Sequence, residues 1–196
     1  MAVQPIPTWA PYVAMWRVEE LLRKATRALN ASGAPYAIVG GNAVAAWVTT
    51  VDPDAVRATK DVDILARRAD LARLAESLLK IGFIQEEVLG VNMFLDQDDP
   101  SPKRGIHVVI ANEFIRPNYA HPAPDVIVSQ DPIAEYPVID LPELLMMKLQ
   151  SYRPVDQTHV IDMLGVGLIT KEIDARLPPD LRGRLDEVRR IAEDSL

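Results

Sequence analysis

The chain contains no cysteine. That excludes a disulfide framework and any thiolate metal site, and it suits a reducing cytoplasm, the expected compartment. Long apolar runs are missing as well. The longest uncharged apolar stretch, Tyr36 to Val51, holds two glycines and is shorter than the roughly 20 residues a membrane helix needs, so no membrane span is expected. The opening MAVQPIPTWAPYVAMW has no basic leader and is broken by three prolines, so no secretory signal is expected either. Positive charge is in deficit. A net charge of −7 argues against non-specific binding to a nucleic-acid backbone, while leaving room for a local basic groove. Internal repeats and low-complexity tracts are absent. What remains is a chain of 196 residues, 48% hydrophobic and 25% charged, the make-up of an ordinary globular protein of one domain or one with a small appendage.

The chemistry concentrates in Tyr36 to Ala66. An apolar strand over Tyr36–Val39 runs into Gly40 and Gly41 and then a helical pattern over Asn42–Val48. Glycines between a strand end and a helix start leave backbone N–H groups unpaired at the positive end of a helix dipole, so Gly40, Gly41 and Asn42 can cradle a phosphate. Further on comes Asp61-Val62-Asp63-Ile64-Leu65. On a strand, alternate residues share a face, so Asp61 and Asp63 project together while Val62 and Ile64 turn to the core. Paired carboxylates repel, and a divalent cation with oxygen ligands is the usual remedy. A phosphate cradle beside an acid pair points to metal-assisted transfer of a phosphoryl or nucleotidyl group.

Around this stretch the spacing predicts an amphipathic helix over residues 12–30, stopped by Asn30 and Gly33, and a second over Arg68–Ile81 ending at Gly82. Trp9, Tyr12 and Trp16 read as aromatics joining the core, with an interface as the alternative. Phe83 to Leu95, interrupted by Gly90, reads as a hairpin, Asp96–Lys103 as a polar turn, and Gly105–Ala111 as a strand covered on both faces. Residues 115–137 hold five prolines and read as an ordered loop with at most a short strand at Val126–Val128. A soft boundary near 130–140 separates a core of residues 1–135 from a helical part, 136–196, with helices over Leu141–Tyr152, Asp156–Leu164, Lys171–Arg176 and Pro179–Asp194. Asp140 and Glu143 form a capping-box pattern.

Gly40-Gly41, followed by Arg57-Ala58-Thr59-Lys60-Asp61-Val62-Asp63, resembles the DNA polymerase β-like nucleotidyltransferase superfamily, and within it the minimal and AbiEii-type toxin-like branch. Leu145-Met146-Met147-Lys148-Leu149, Arg153, Asp156, His159 and Asp162 extend the likeness, which spans roughly residues 35–165. The resemblance implies an α/β fold, a small mixed sheet flanked by helices with a helical C-terminal part. It implies glycines that bind a triphosphate, aspartates that bind Mg²⁺ (or Mn²⁺), and transfer of a nucleoside monophosphate from an NTP to an acceptor hydroxyl, with pyrophosphate leaving. It leaves the acceptor open among a tRNA end, a protein and a small molecule such as an aminoglycoside, and it brings in an antitoxin as a possible partner.

The sequence departs from that pattern in one place. The third carboxylate belongs on a neighbouring strand, and that strand reads Ile106-His107-Val108-Val109-Ile110. His107 has two readings: a site residue, as a weak ligand or as a general base with an ordinary pKa near 6.5, or a hydrogen-bonded core residue. Glu113 is a weaker substitute for the missing acid. Loss of that acid also fits a catalytically impaired protein that binds a nucleotide or a partner. Lys148 reads as a phosphate-binding charge steadied by Asp162, or as a lysine with its stem on apolar surface. Arg153 reads as a phosphate clamp or a helix cap, and Arg57 and Thr59 as lining for the nucleotide.

Overall fold

A computed structural model describes residues 10–88 and 90–194, without the side chains of 10–15, 88 and 103. Trp9 and the Tyr12 side chain therefore lie outside the described residues, and Trp16 is exposed rather than part of the core. Helix α1 (Ala10–Ala31) leads into β1 (Tyr36–Val39), and α2 (Gly40–Thr49) starts on the glycines themselves, two residues earlier than the apolar pattern implied. Strand β2 (Val62–Ala66) is followed by a single 3₁₀ turn at Arg68–Asp70 and then α3 (Leu71–Leu79). The expected hairpin is β3 (Phe83–Val88) and β4 (Val91–Asp96), and β5 (Ile106–Ile110) closes the set. The C-terminal helices are α4 (Leu141–Ser151), α5 (Pro154–Gly165), α6 (Lys171–Arg176) and α7 (Pro179–Asp194). Helix α5 starts earlier than Asp156 because Pro154 fits the first turn, where its missing N–H costs nothing.

The five strands form one mixed sheet in the order β1-β2-β5-β4-β3. Only β2 and β5 run parallel, an arrangement that needs a long crossover, supplied here by α3 and the β3–β4 hairpin. The register lines up Val39, Asp63, His107 and Met93 in one row across four strands. Val62 and Ile64 are fully buried, as alternation requires. One apolar cluster runs from Val18 on α1 to Val188 on α7 and includes Leu144, Leu145 and Leu149 of α4. The chain thus has an α/β fold with a small mixed sheet flanked by helices.

Two expectations need correcting, and a third is narrowed. Strand β5 is not covered on both faces: His107, Val109 and Ile110 are only partly buried, because a cavity opens over them. Asp140 makes no side-chain cap, and instead it and Glu143 both pair with Arg176 of α6, at 3.5 and 3.2 Å. Val126–Val128 is no strand, and Val128 makes a single bridge to Ile139.

Candidate active site

Asp61 and Asp63 do face the glycine bend. Gly40 sits at φ +69°, a left-handed conformation that glycine alone adopts without cost, and it follows directly on Val39, the β1 partner of Asp63. A Cβ on Gly40 would overlap Asp63 Oδ2 and come within 2.8 Å of its Cγ. The first turn of α2 is therefore packed against the carboxylate. Asn42 donates from Nδ2 to the Asp61 carbonyl at 2.7 Å, and the Thr59 hydroxyl donates to the same oxygen at 3.0 Å. Both side chains thus fix the loop that carries Asp61. The Asn42 amide is committed to this bond, so any phosphate cradle here is built from backbone N–H groups alone.

His107 belongs to the same cluster and not to the core. Its Nδ1 lies 3.4 Å from Asp63 Oδ1 and 3.6 Å from Asp61 Oδ2, while Nε2 is 2.9 Å from the Pro102 carbonyl. A carbonyl can only accept, so Nε2 carries a proton and Nδ1 is the nitrogen turned toward the acids. The hydrogen bond to Asp63 pushes the imidazole up to about 9, away from the ordinary value expected of a general base. Asp61 is also raised, first by burial and then by the charge of Asp63. One ligand atom from each of the three residues falls within 4.8 Å of the other two.

The donor set fits a divalent cation. Two carboxylates supply hard oxygens, and a ring held by Pro102 through Nε2–H presents the Nδ1 lone pair once that nitrogen is neutral, as metal-ligating histidines do. The nitrogen donor makes Mn²⁺ as well suited as Mg²⁺. Glu113 does not supply the missing acid: both its oxygens are taken by Arg68 at 2.6 Å.

A cavity of about 380 Å³ opens from Gly40, Asp63 and His107 toward α4 and the segment after β5. Lys148 and Arg153 reach it from α4 and the start of α5, and Asp156, 1% exposed, binds both, at 3.2 Å to Lys148 Nζ and 2.7 Å to Arg153 Nε. Burial disfavours the Asp156 charge, but the Arg153 hydrogen bond and the Lys148 charge hold its pKa below the ordinary carboxylate value. The residue steadying Lys148 is thus Asp156 and not Asp162. Asp162 instead binds Arg57 at 2.7 Å, which takes Arg57 away from the cavity wall. Gly41, Asn42, Thr59 and Asp61 do not themselves line the cavity but adjoin the residues that do, with Thr59 and His159 packed against Gly41.

Sequence reasoning missed the outer half of the cavity, formed by Val91 and by Phe114, Ile115, Arg116 and Tyr119. The signal was the dense FIRPNY segment directly after β5, which the proline count had placed in an uncommitted loop. In the sequence His159 stood out only as part of the helical likeness with Asp156 and Asp162. It is mostly buried, with Nδ1 unpartnered, and burial first and the Lys148 charge second push it down to about 4.

No protein-family model matches the sequence, and no curated protein is recognisably similar to it. The fold does have solved counterparts. The solution structure of the antibiotic-resistance factor ANT(2'')-Ia, an aminoglycoside nucleotidyltransferase, superposes with a TM-score of 0.55 at 16% identity, over 93% of this chain and 97% of that one. A crystal structure of ANT(2'')-Ia in complex with adenylyl-2''-tobramycin gives 0.53 at 17% identity, over 86% and 96%. The Megavirus polyadenylate synthase, at 6% identity and a TM-score of 0.40 over 37% of its own length, is too distant to carry an argument. The chain therefore has the fold of a nucleotidyltransferase. Among the described residues no helix is long and apolar enough to cross a membrane.

Proposed function

We propose that the protein is a metal-dependent nucleotidyltransferase that moves a nucleoside monophosphate from an NTP to an acceptor hydroxyl. One observation carries the reading: Asp61, Asp63 and His107 converge against the glycine bend, and Asp63 and His107 line a cavity that Lys148 and Arg153 also line. Asp61, Asp63 and His107 Nδ1 would hold Mg²⁺ or Mn²⁺. When bound there, such a cation supplies charge neutralisation on the transferring phosphoryl group. The backbone N–H groups of Gly41 and Asn42 bind phosphate oxygens at the start of α2, and Lys148 with Arg153 binds the polyphosphate tail. Asn42 and Thr59 act at one remove, by holding the Asp61 backbone.

Incubation with α-labelled NTP and Mn²⁺ or Mg²⁺, read as pyrophosphate release and labelled product, tests the proposal. Asp61→Asn should abolish metal-dependent nucleotide binding by calorimetry while leaving the circular dichroism spectrum unchanged. Nucleotide binding that Asp61→Asn leaves untouched would sink the assignment. The second reading, a protein that binds NTP without turnover, is favoured by the histidine where an acid is expected. It predicts tight Mn²⁺-NTP binding with no pyrophosphate in the same assay.

A further inference from the structure

The outer half of the cavity identifies the kind of molecule that receives the nucleotide, an inference that rests on the proposed transfer. In an in-line displacement the entering hydroxyl and the leaving pyrophosphate lie on opposite sides of the phosphorus. The sheet order places the glycine bend on the β1 flank of Asp63 and His107 on the β5–β4 flank. Pyrophosphate held by the start of α2 and by Lys148 of α4, which packs on α2, leaves toward the β1 flank, so the acceptor enters from the β5–β4 side. That side ends in a lip made by Gly90, Val91 and the segment after β5.

The chemistry of the lip is distinctive. Val91, the first residue of β4, and Phe114 and Ile115, which follow β5, are 43, 59 and 43% exposed, large apolar side chains that line one cavity. Tyr119 adds an aromatic ring to the same wall. Arg116 lines the same wall and forms no ion pair among the described residues. The carboxylates are spent: Glu113 is held in both oxygens by Arg68, and Asp156 is shared by Lys148 and Arg153. A polyamine would find no free acid in this cavity beyond the reacting pair. A flat apolar anion would find surface to stack on and an unpaired guanidinium.

We propose that the acceptor is a hydroxyl-bearing anion with a flat apolar body, seated on Phe114 and Ile115 with its negative group on Arg116, and not a polycation such as an aminoglycoside. The acceptor oxygen forms a bond to the α-phosphorus as the bond to the bridging oxygen breaks. Pyrophosphate leaves with that electron pair, and the hydroxyl proton passes to water.

Anilinonaphthalene sulfonate, an aromatic anion whose fluorescence reports binding, probes the site without needing turnover. One equivalent should bind, with affinity about tenfold weaker in Phe114→Ala and in Arg116→Gln, each the loss of one strong contact. Trp16→Ala, at the exposed aromatic on α1, should change nothing, and millimolar tobramycin should not displace the probe. Mn²⁺-ATP affinity should be the same in both lip variants as in the unsubstituted chain. Indifference of the probe to both lip substitutions overturns the proposal, and so does displacement by tobramycin. A parallel loss of Mn²⁺-ATP affinity in Phe114→Ala also overturns it, because the lip would then seat the nucleobase. Failure of the nucleotidyl reading shows separately, as Mn²⁺-ATP binding that does not depend on Asp61.

Discussion

Gly40→Ala tests the central contact of the molecule, because it adds one methyl group where the structure has no room. Two costs arise. At φ +69° an alanine is in the left-handed region, which costs roughly 1–2 kcal/mol. The new Cβ also lands on the Asp63 carboxylate, and relieving that overlap by moving the side chain or the backbone costs about 1–3 kcal/mol more. Gly33→Ala separates the two. Gly33 has φ +65°, but nothing lies within 4 Å of an added Cβ, so it suffers the backbone cost alone. Urea unfolding should therefore place Gly33→Ala about 1–2 kcal/mol below the unsubstituted chain and Gly40→Ala roughly 2–5 kcal/mol below it. Calorimetric titration with Mn²⁺ at a temperature where both variants are folded should show normal binding by Gly33→Ala. Gly40→Ala should bind at least about tenfold more weakly, because Asp63 cannot stay in place. Equal destabilisation of the two variants, or unchanged Mn²⁺ affinity in Gly40→Ala, would refute the packing of the bend against the acid.

Two further outcomes follow from buried ionisable groups. Asp156→Asn leaves the Lys148 ammonium, 6% exposed, without its carboxylate, and should cost about 3–5 kcal/mol in chemical denaturation, whereas Lys148→Met should cost less because Arg153 still pairs with Asp156. His159 is pushed down to about 4 in the folded chain, against about 6.5 unfolded. Above pH 6.5 the ring is neutral in both states and contributes no pH dependence. Between there and about pH 4 the unfolded chain binds a proton that the folded one refuses, so stability falls with pH, by about 1 kcal/mol at pH 5 once partial solvent exposure is allowed for. His159→Gln should flatten that part of the stability-against-pH curve, and an unaltered slope would contradict the burial.

The readable parts of the sequence were those governed by local rules. Alternation put Asp61 and Asp63 on one face and Val62 and Ile64 on the other, and the glycine pair marked the strand-to-helix bend, because both depend on neighbours one or two positions away. What stayed hidden depends on distant partners. Nothing near Asp162 says that Arg57 takes it, and nothing in α4 says that Lys148 and Arg153 share Asp156. The partial opening of β5 was hidden for the same reason: the apolar run around His107 reads as doubly covered until the tertiary packing leaves a cavity over it. The FIRPNY segment was passed over because proline content reports an ordered connection but not which wall it lines.

The parallel pairing of β2 with β5 also has a bearing on how the protein is made. Two donors of the cluster are synthesised early, but His107 reaches Asp63 only after the intervening helix and hairpin have emerged and the later strand has slotted between β2 and β4. Such non-local pairing is among the slowest events in folding. A ribosome-bound chain stopped short of β5 would carry the acid pair without the histidine beside it.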